Sequence, residues 1–343
     1  MPRFRLAGLL VGWVCLSASA ADLSLPGPFT AARRDVSVVR AAGTSFAATV
    51  HYPATAATVG APFDTNAGPC PVIAFGHGYL CSVTLYQSTA SHLASWGFVV
   101  ILPQTQGSLF PSHAALAADM LSSLDWLAAQ ASTTGSPWLG AVDGARRGVM
   151  GHSMGGGCSL LAAASDPRVI AAVPMAAAET NPSSTQACVA VRAATRIMVG
   201  SQDAIVPPSA NDPMFAALPR DAQLVSITGG FHCGFTDSTI VACDTGSITR
   251  SQQLAIVRRE ATAFLLPMLA GHDELWCEAW GPVGAGTTRE QRPAPDLDGD
   301  GVVGAGDLAI MLLDFGACAR GDLDGSGSVD GGDVALLLLQ FDA

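Results

Sequence analysis

Three short segments place a serine, an aspartate and a histidine where together they could cleave a bond by nucleophilic attack. Residues 151–157 read GHSMGGG and contain the pattern G-x-S-x-G around Ser153. In this pattern the serine lies on a sharp turn between a strand and a helix, and the glycines avoid clashes in the strained backbone. The segments GSQD and TGGFH end in Asp203 and His232, and each follows a short apolar run. The order predicts that Ser153 is the nucleophile, His232 the base and Asp203 the acid that orients it.

Acyl transfer by such a serine also requires two N–H donors for the oxyanion. Met154 follows the serine directly, so we expect its backbone to supply one donor. The loop FGHGY follows an early apolar run, and we assign the second donor to Tyr79 in that loop. The ring of Tyr79 either floors an acyl pocket or serves only packing. His77 precedes the serine and His152 lies inside the turn, so neither fits the position of the base.

Short apolar runs alternate with longer helical patterns between residues 72 and 269, which predicts a mostly parallel sheet covered by helices. The predicted strands are residues 72–75, 98–102, 148–150, 169–174, 196–199 and 224–227, and the predicted helices are residues 85–95, 113–129, 154–164 and 252–269. Residues 34–52 alternate like antiparallel edge strands. Because Ser153, Asp203 and His232 each follow a predicted strand, we expect them at the carboxyl edge of the sheet, where active sites gather.

A repeated acidic pattern occupies the C-terminal residues. DLDGDG begins at residue 296 and DLDGSG at residue 322, and each opens a twelve-residue loop that ends in aspartate before an apolar helix, predicted at 308–315 and 334–341. Ca²⁺ takes six to eight oxygen ligands from positions 1, 3, 5, 7, 9 and 12 of such a loop. The predicted ligands of two calcium ions are Asp296, Asp298, Asp300, the Val302 carbonyl and Asp307 in the first loop, and Asp322, Asp324, Ser326, the Ser328 carbonyl, Asp330 and Asp333 in the second. Folding of this module is expected to depend on calcium.

Composition and the N-terminus indicate an exported protein. The net charge of −11 over 343 residues excludes nucleic acid as a partner, because nucleic-acid binding needs a basic surface. Two arginines, an apolar run at 6–16 and the small residues 18–20 predict a signal peptide over residues 1–20. That run is too short to cross a bilayer and no later one is long enough, so no transmembrane segment is expected. We expect a catalytic domain at 21–280, a Gly-, Pro- and Thr-rich linker at 281–295 and the acidic module at 296–343, in a monomer.

Cysteine usage agrees with export. The chain has nine cysteines, and eight remain once Cys15 leaves with the signal peptide. An even number in an oxidising compartment suggests disulfide bonds. Proximity along the chain favours Cys70–Cys81 and Cys233–Cys243, and the other pairings stay open.

The segments GHSMGGGCSL, SQDAIVPP and GGFHCG resemble the corresponding loops of bacterial cutinases and polyester (PET-type) hydrolases. The stretch from FGHGY to ILPQ also resembles the chlorophyllase and dienelactone-hydrolase branches, and the resemblance covers roughly residues 30–270. It implies an α/β-hydrolase fold with Ser153, Asp203 and His232 as catalytic triad and Tyr79 and Met154 as oxyanion hole. It further implies a secreted serine carboxylic ester hydrolase that acts on esters or polyesters without a cofactor for catalysis.

Two features depart from those polyester hydrolases. Residues 175–179 read MAAAE where those enzymes carry a tryptophan that lines the cleft. In those enzymes a disulfide bond often ties the loop that carries the acid to the loop that carries the histidine. Here the acid loop is residues 200–203 and the histidine loop is residues 228–232, and Gly200 stands where the partner of the cysteine after His232 would be. The resemblance therefore supports ester hydrolysis in general more directly than hydrolysis of aromatic polyesters.

The C-terminal module resembles a dockerin, a small all-α domain with paired EF-hand-like calcium loops, because aspartate stands at position 12 of each loop. This resemblance implies a cohesin-type scaffold or surface protein as partner, and hence association with a scaffold or cell surface. Dockerins often carry recognition hydroxyls where this chain has Ala305-Gly306 and Gly331-Gly332, so the partner stays open. Two alternatives also stay open: a peptidase or thioesterase on the same fold, and a catalytically silent binding protein displayed through its dockerin.

Overall fold

A computed structural model describes residues 22–219, 221–240, 242–298 and 300–341 of the chain. The predicted signal peptide at 1–20 lies outside these described residues. Within them, no helix combines the length and the apolar character needed to cross a membrane.

A single nine-stranded sheet forms the centre of the part of the chain that the structure describes, in the order β1-β2-β4-β3-β5-β6-β7-β8-β9. Its strands are β1 (Ala31–Val39), β2 (Ser45–Pro53), β3 (Cys70–Gly76), β4 (Val99–Pro103), β5 (Val142–His152), β6 (Val169–Met175), β7 (Ala194–Gly200), β8 (Ala222–Ile227) and β9 (Thr287–Arg292). The pairs from β4 through β8 are parallel, whereas β1–β2, β2–β4 and β8–β9 are antiparallel. The predicted parallel strands and antiparallel edge are thereby confirmed.

The inner strands are buried on both faces because helices cover both sides of the sheet. Every residue of β3, β4 and β7 is buried, as expected for parallel strands that lie between two layers. The helices are α1 (Gln87–Ser95), α2 (His113–Gln130), α3 (Met154–Ser165), α4 (Ser184–Ala187), α5 (Asp212–Ala217), α6 (Arg250–Leu265), α7 (Trp276–Trp280), α8 (Ala305–Leu313) and α9 (Gly331–Leu338). Shorter turns of 3-10 helix include Val83–Tyr86 and His232–Phe235, and α6 continues into a π-helical turn at Leu266–Ala270.

The segment 281–295, predicted to be a linker, contains β9 and so extends the sheet. β9 pairs along its whole length with β8, from Thr287 opposite Ile227 to Arg292 opposite Ala222. Its sequence TTREQR is charged and none of its residues is fully buried. Edge strands commonly carry such charges because these discourage pairing with other chains. An apolar alternation therefore could not have revealed this strand.

The two disulfide bonds of the described residues correct one cysteine prediction and add another pair. Cys233–Cys243 forms as predicted, and Cys277–Cys318 joins α7 to the loop between α8 and α9. The predicted pair Cys70–Cys81 is wrong, because both residues are buried free thiols. Cys70 begins β3 and Cys81 lies beyond its other end, so an extended strand about 20 Å long keeps them apart.

The C-terminal residues form a small helical unit around α8 and α9. Six buried side chains make its core: Leu297, Val303, Met311, Leu323, Val329 and Leu337. The predicted helices are present, and each begins about three residues earlier than expected because the last aspartate of each loop lies inside the first helical turn. Together with the Cys277–Cys318 bond, β9 fastens this unit to the sheet.

Candidate active site

The turn between β5 and α3 holds Ser153 in a backbone conformation that few residues other than glycine adopt. Ser153 has φ 56° and ψ −118°. The helix approaches β3 so closely that a Cβ atom on Gly155 would lie 2.0 Å from the carbonyl oxygen of Gly76. The backbone N–H of Ser153 donates to the Met175 carbonyl at 2.9 Å, which ties the turn to β6. The glycines of GHSMGGG are therefore required by close packing around the strained serine.

Asp203 and His232 meet at the ends of β7 and β8. The Nδ1 atom of His232 lies 2.7 Å from Oδ2 of Asp203, and both side chains are buried. The other oxygen, Oδ1, accepts the backbone N–H groups of Ile205 at 2.9 Å and Val206 at 2.7 Å. With both oxygens engaged, the carboxylate is fixed in orientation and holds the Nδ1 edge of the imidazole.

A cavity of about 720 Å³ lies over this end of the sheet and brings Ser153 and His232 together. Its lining residues are Gly78, Tyr79, Leu80, Cys81, His152, Ser153, Ile205, His232, Thr239, Ile240 and Ala242. Three of the five predicted active-site residues, Ser153, His232 and Tyr79, line this cavity or its rim, and Asp203 bonds His232 from behind. Apolar side chains dominate the wall, as in pockets that take organic ligands.

The predicted oxyanion donors lie at the start of α3 and in the loop after β3. Met154 is the first residue of α3, so its N–H lies at a helix end without an i−4 partner inside the helix. Tyr79 lies in the loop after β3, where Gly78 accepts the N–H of Cys81 in a turn and Leu80 has φ 55°. The Tyr79 ring is half-exposed and its hydroxyl donates to the Leu109 carbonyl at 2.9 Å, which places the ring at the rim of the cavity.

Similarity to known proteins agrees with this architecture. A family model described as PET hydrolase-like matches residues 17–249. The chain belongs to the PET hydrolase-like family. It is 32% identical to a bis(hydroxyethyl) terephthalate hydrolase of Streptomyces coelicolor over 58% of this chain and 58% of that protein. It is 30% identical to a cutinase of Thermobifida alba over 57% and 60% of the two chains, and 34% identical to a lipase of Moraxella over 44% and 42%. In each case the match spans less than two thirds of the relative's own length.

Both departures from PET-type hydrolases have a visible structural setting. Met175, Ala176 and Ala177 are buried at the end of β6, so this stretch contributes small side chains instead of a large ring. At Gly200, a Cβ atom would lie 2.6 Å from the carbonyl carbon of Gly230. The acid and histidine loops thus pack backbone against backbone, and a cysteine at residue 200 would have no room.

A tyrosine and a second histidine join the oxyanion loop to the histidine loop. Tyr86 accepts the N–H of Gly78 at 3.0 Å, and its hydroxyl lies 3.0 Å from Nδ1 of His152. The His152 ring lies 4.5 Å from the ring of His232. Burial, with a smaller contribution from the neighbouring His232, holds the pKa of His152 well below its usual range. His152 therefore stays neutral beside His232. Sequence reasoning excluded His152 as a base and had no signal for Tyr86.

The C-terminal loops bring some of the predicted calcium ligands together. Asp296, Asp298 and Asp307 place carboxylate oxygens within 4.8 Å of one another, as do Asp322, Asp324 and Asp333. The other predicted ligands make local contacts: Asp300 accepts the N–H of Val302, the Ser326 hydroxyl donates to the Ser328 carbonyl, and Asp330 caps α9 by accepting the N–H of Gly332. Three converging carboxylates are the hard oxygen donors that Ca²⁺ prefers, so the residues fit that ion.

The electrostatics of these loops also favour a cation. Burial, together with the adjacent carboxylates of Asp333 and Asp324, raises the pKa of Asp322. Asp307 is buried as well, but the backbone N–H groups of Gly304, Asp298 and Leu297 outweigh burial and lower its pKa. The first cluster therefore contains a carboxylate, Asp307, whose charged form is stabilised by backbone donors. The second contains a carboxylate, Asp322, that is crowded by carboxylates of the same charge.

Proposed function

We propose that this protein is a secreted serine carboxylic ester hydrolase that works through an acyl-enzyme. One observation carries the proposal: Ser153, on a strained strand-to-helix turn, shares a cavity of about 720 Å³ with His232, whose Nδ1 is 2.7 Å from Asp203. Relatives named cutinase, lipase and bis(hydroxyethyl) terephthalate hydrolase support the ester class. Disulfide bonds support an extracellular setting.

In the acylation step, Ser153 Oγ attacks the ester carbonyl while Nε2 of His232 takes the hydroxyl proton. Asp203 holds Nδ1–H of His232, which keeps the correct tautomer and stabilises the imidazolium. The negative charge on the carbonyl oxygen is received by the N–H groups of Tyr79 and Met154. Collapse breaks the ester C–O bond, and the imidazolium returns its proton to the departing alcohol.

In the deacylation step, water attacks the acyl-serine while His232 takes one of its protons. The second tetrahedral species uses the same two N–H donors. Its collapse releases the acid and returns the proton to Ser153. The step needs only these side chains, water and the ester.

The substrate is an ester or polyester with an apolar acyl or alcohol part, since the cavity wall is largely apolar and its rim exposes Tyr79, Leu80 and Ile205. The proposal covers ester hydrolysis in general and does not extend to aromatic polyesters, because residues 175–179 supply no tryptophan to the cleft. A thioesterase or peptidase would use the same groups, so matched oxygen-ester, thioester and amide substrates separate these activities. A silent binding protein would fail to react with a fluorophosphonate, which labels an activated serine.

The C-terminal unit is proposed to bind two calcium ions, through the clusters at Asp307 and Asp333, and to attach the enzyme to a cohesin-type scaffold or surface protein. The converging carboxylates and the duplicated loops support calcium binding. The scaffold partner rests on the dockerin resemblance alone. A monomer that carries one catalytic site completes the proposal.

The test is hydrolysis of p-nitrophenyl esters from acetate to palmitate by the mature protein, with Ser153→Ala as matched control. We expect the wild type to be active and the variant to lose about 10⁴-fold or more in kcat, because the nucleophile is absent. Maximum activity on short chains would indicate a cutinase-like esterase. Equal activity of wild type and a folded Ser153→Ala variant would contradict the proposal.

A further inference from the structure

We propose that Asp244 is a positioning residue that clamps the acid loop to the histidine loop and so sets the Asp203–His232 geometry. The inference rests on the proposed function and adds to it a group that does not itself touch the reacting atoms. Asp244 lies in the segment after the 3-10 turn His232–Phe235 and is not among the residues that line the active cavity in the described chain.

A single carboxylate receives backbone hydrogen bonds from both loops. Oδ2 of Asp244 accepts the N–H of His232 at 2.8 Å and that of Ala204 at 3.1 Å. Oδ1 accepts the N–H of Cys233 at 3.0 Å. Ala204 directly follows Asp203, so the clamp grips the acid loop one residue from the acid and the histidine loop at the base itself. Ser201 also links the two loops by accepting the N–H of Gly229 at 2.8 Å, but Asp244 binds directly beside Asp203 and at His232 itself.

The clamp is itself held in place by a covalent bond. Cys243, the residue before Asp244, is bonded to Cys233, the residue after His232. The backbone at Asp244 is therefore already held near the groups that its carboxylate binds, and less backbone entropy is lost on forming the three bonds. Charge-assisted hydrogen bonds of this kind are shorter and about twice as strong as neutral ones.

This arrangement provides the connection that Gly200 cannot make. A cysteine at residue 200 has no space against Gly230, so no disulfide can join the two loops there. The Asp244 clamp joins the same two loops by hydrogen bonds instead. Its removal would leave three N–H donors without their acceptor and loosen the placement of Asp203 against His232, although the Ser201–Gly229 and Gln202–Gly230 hydrogen bonds still link the loops.

The direct test compares Asp244→Ala and Asp244→Asn with the wild type on one p-nitrophenyl ester. We expect kcat of Asp244→Ala to fall about tenfold to a hundredfold with KM nearly unchanged, because a small misplacement of catalytic groups costs rate more than binding. Asp244→Asn retains one acceptor oxygen but turns an NH₂ toward a backbone donor. Its kcat should therefore lie between those of the wild type and Asp244→Ala. The Ser153 labelling rate with a fluorophosphonate should follow the same order.

Asp237→Ala is the matched control, because Asp237 lies in the same segment but its carboxylate accepts the N–H and hydroxyl of Ser88 at the start of α1. It should lose stability with kcat within about twofold of wild type, since it touches neither catalytic loop. A folded Asp244→Ala variant with wild-type kcat, or with its loss confined to KM, would overturn the clamp and leave the proposed function standing. A wild type that neither hydrolyses esters nor reacts with the probe would overturn both.

Discussion

The acid loop of the proposed active site and the two C-terminal acidic loops hold an aspartate by the same local hydrogen bonds but turn it toward different partners. Asp203 accepts two backbone N–H groups on one oxygen and faces His232 with the other. Asp307 accepts the N–H groups of Leu297 and Gly304 and faces other carboxylates. Backbone donors orient the carboxylate in both places, and at Asp307 they outweigh burial and lower its pKa. The two aspartates thus differ in what their remaining lone pairs meet: an imidazole in one case, and other carboxylates in the other, where we propose a calcium ion.

The two regions also differ in how much space the backbone leaves. Around Ser153 the backbone segments are in direct contact, and an added Cβ on Gly155 would collide with backbone atoms of Gly76 and His77. At Gly331, the first residue of α9, no atom lies within 4 Å of an added Cβ. The turn at Ser153 is therefore packed backbone against backbone, whereas the start of α9 is open and the acidic unit packs around a small core.

The largest expected difference between the two regions comes from one isosteric substitution of an aspartate in each. We expect Asp203→Asn to lower kcat about 10⁴-fold with the fold intact, because an amide favours the wrong tautomer of His232. Asp307→Asn should leave kcat unchanged, since Asp307 lies in the first acidic loop and does not line the active cavity. Steady-state kinetics on a p-nitrophenyl ester, with circular dichroism as the folding check, measures both. Equal losses in the two variants would contradict the separation of roles.

A second comparison uses two glycines and measures stability. Gly155→Ala should lower the free energy of unfolding by about 3 kcal/mol or more, because the new methyl group meets backbone that cannot move aside. Gly331→Ala should change it by less than about 1 kcal/mol, since its site is open and alanine is the better helix former. Urea unfolding at fixed pH measures both values. A Gly155→Ala protein as stable as the wild type would mean that α3 packs less tightly than described.

The parts of the site that the sequence predicts are those fixed by strand periodicity and chain order. Ser153, Asp203 and His232 each follow an apolar strand of a parallel sheet, and such strands end at one edge. The Asp203–His232 contact therefore follows from the order of strands along the sequence. Likewise, the glycines around Ser153 are recognisable in the sequence because the spacing G-x-S-x-G is the one that the tight turn requires.

The contacts that sequence reasoning missed depend on loops whose paths carry no period. Asp244 and Tyr86 act through backbone N–H groups of distant residues, and a carboxylate or phenol in a loop gives no sign of its partner. β9 was not predicted because a charged edge strand lacks the apolar alternation that indicates a strand. The Cys277–Cys318 pair spans 41 residues, so proximity along the chain, which suggested Cys70–Cys81, could not find it.

The smallest expected effect concerns calcium and sharpens the contrast between the regions. Calcium should bind the native acidic loops and relieve the repulsion that, with burial, raises the pKa of Asp322. Binding only to the folded state at a hundredfold excess over Kd stabilises by about 2.7 kcal/mol, so chelation should lower the melting temperature of this unit. The kcat for ester hydrolysis at low temperature should not change, because the loops lie outside the active cavity.

The matched variants for this calcium experiment are Asp298→Asn with Asp324→Asn, and Asp314→Asn. Asp298 and Asp324 each contribute an oxygen to a cluster, whereas Asp314 ends α8 outside both. Titration calorimetry should detect two ions per chain in the wild type and in Asp314→Asn, and much weaker binding in the double variant. If chelation instead abolished hydrolysis by the wild type while the chain stayed folded, the acidic loops would be coupled to the triad. The route for that coupling would be the Cys277–Cys318 bond and β9, which connect the unit to α7 and β8.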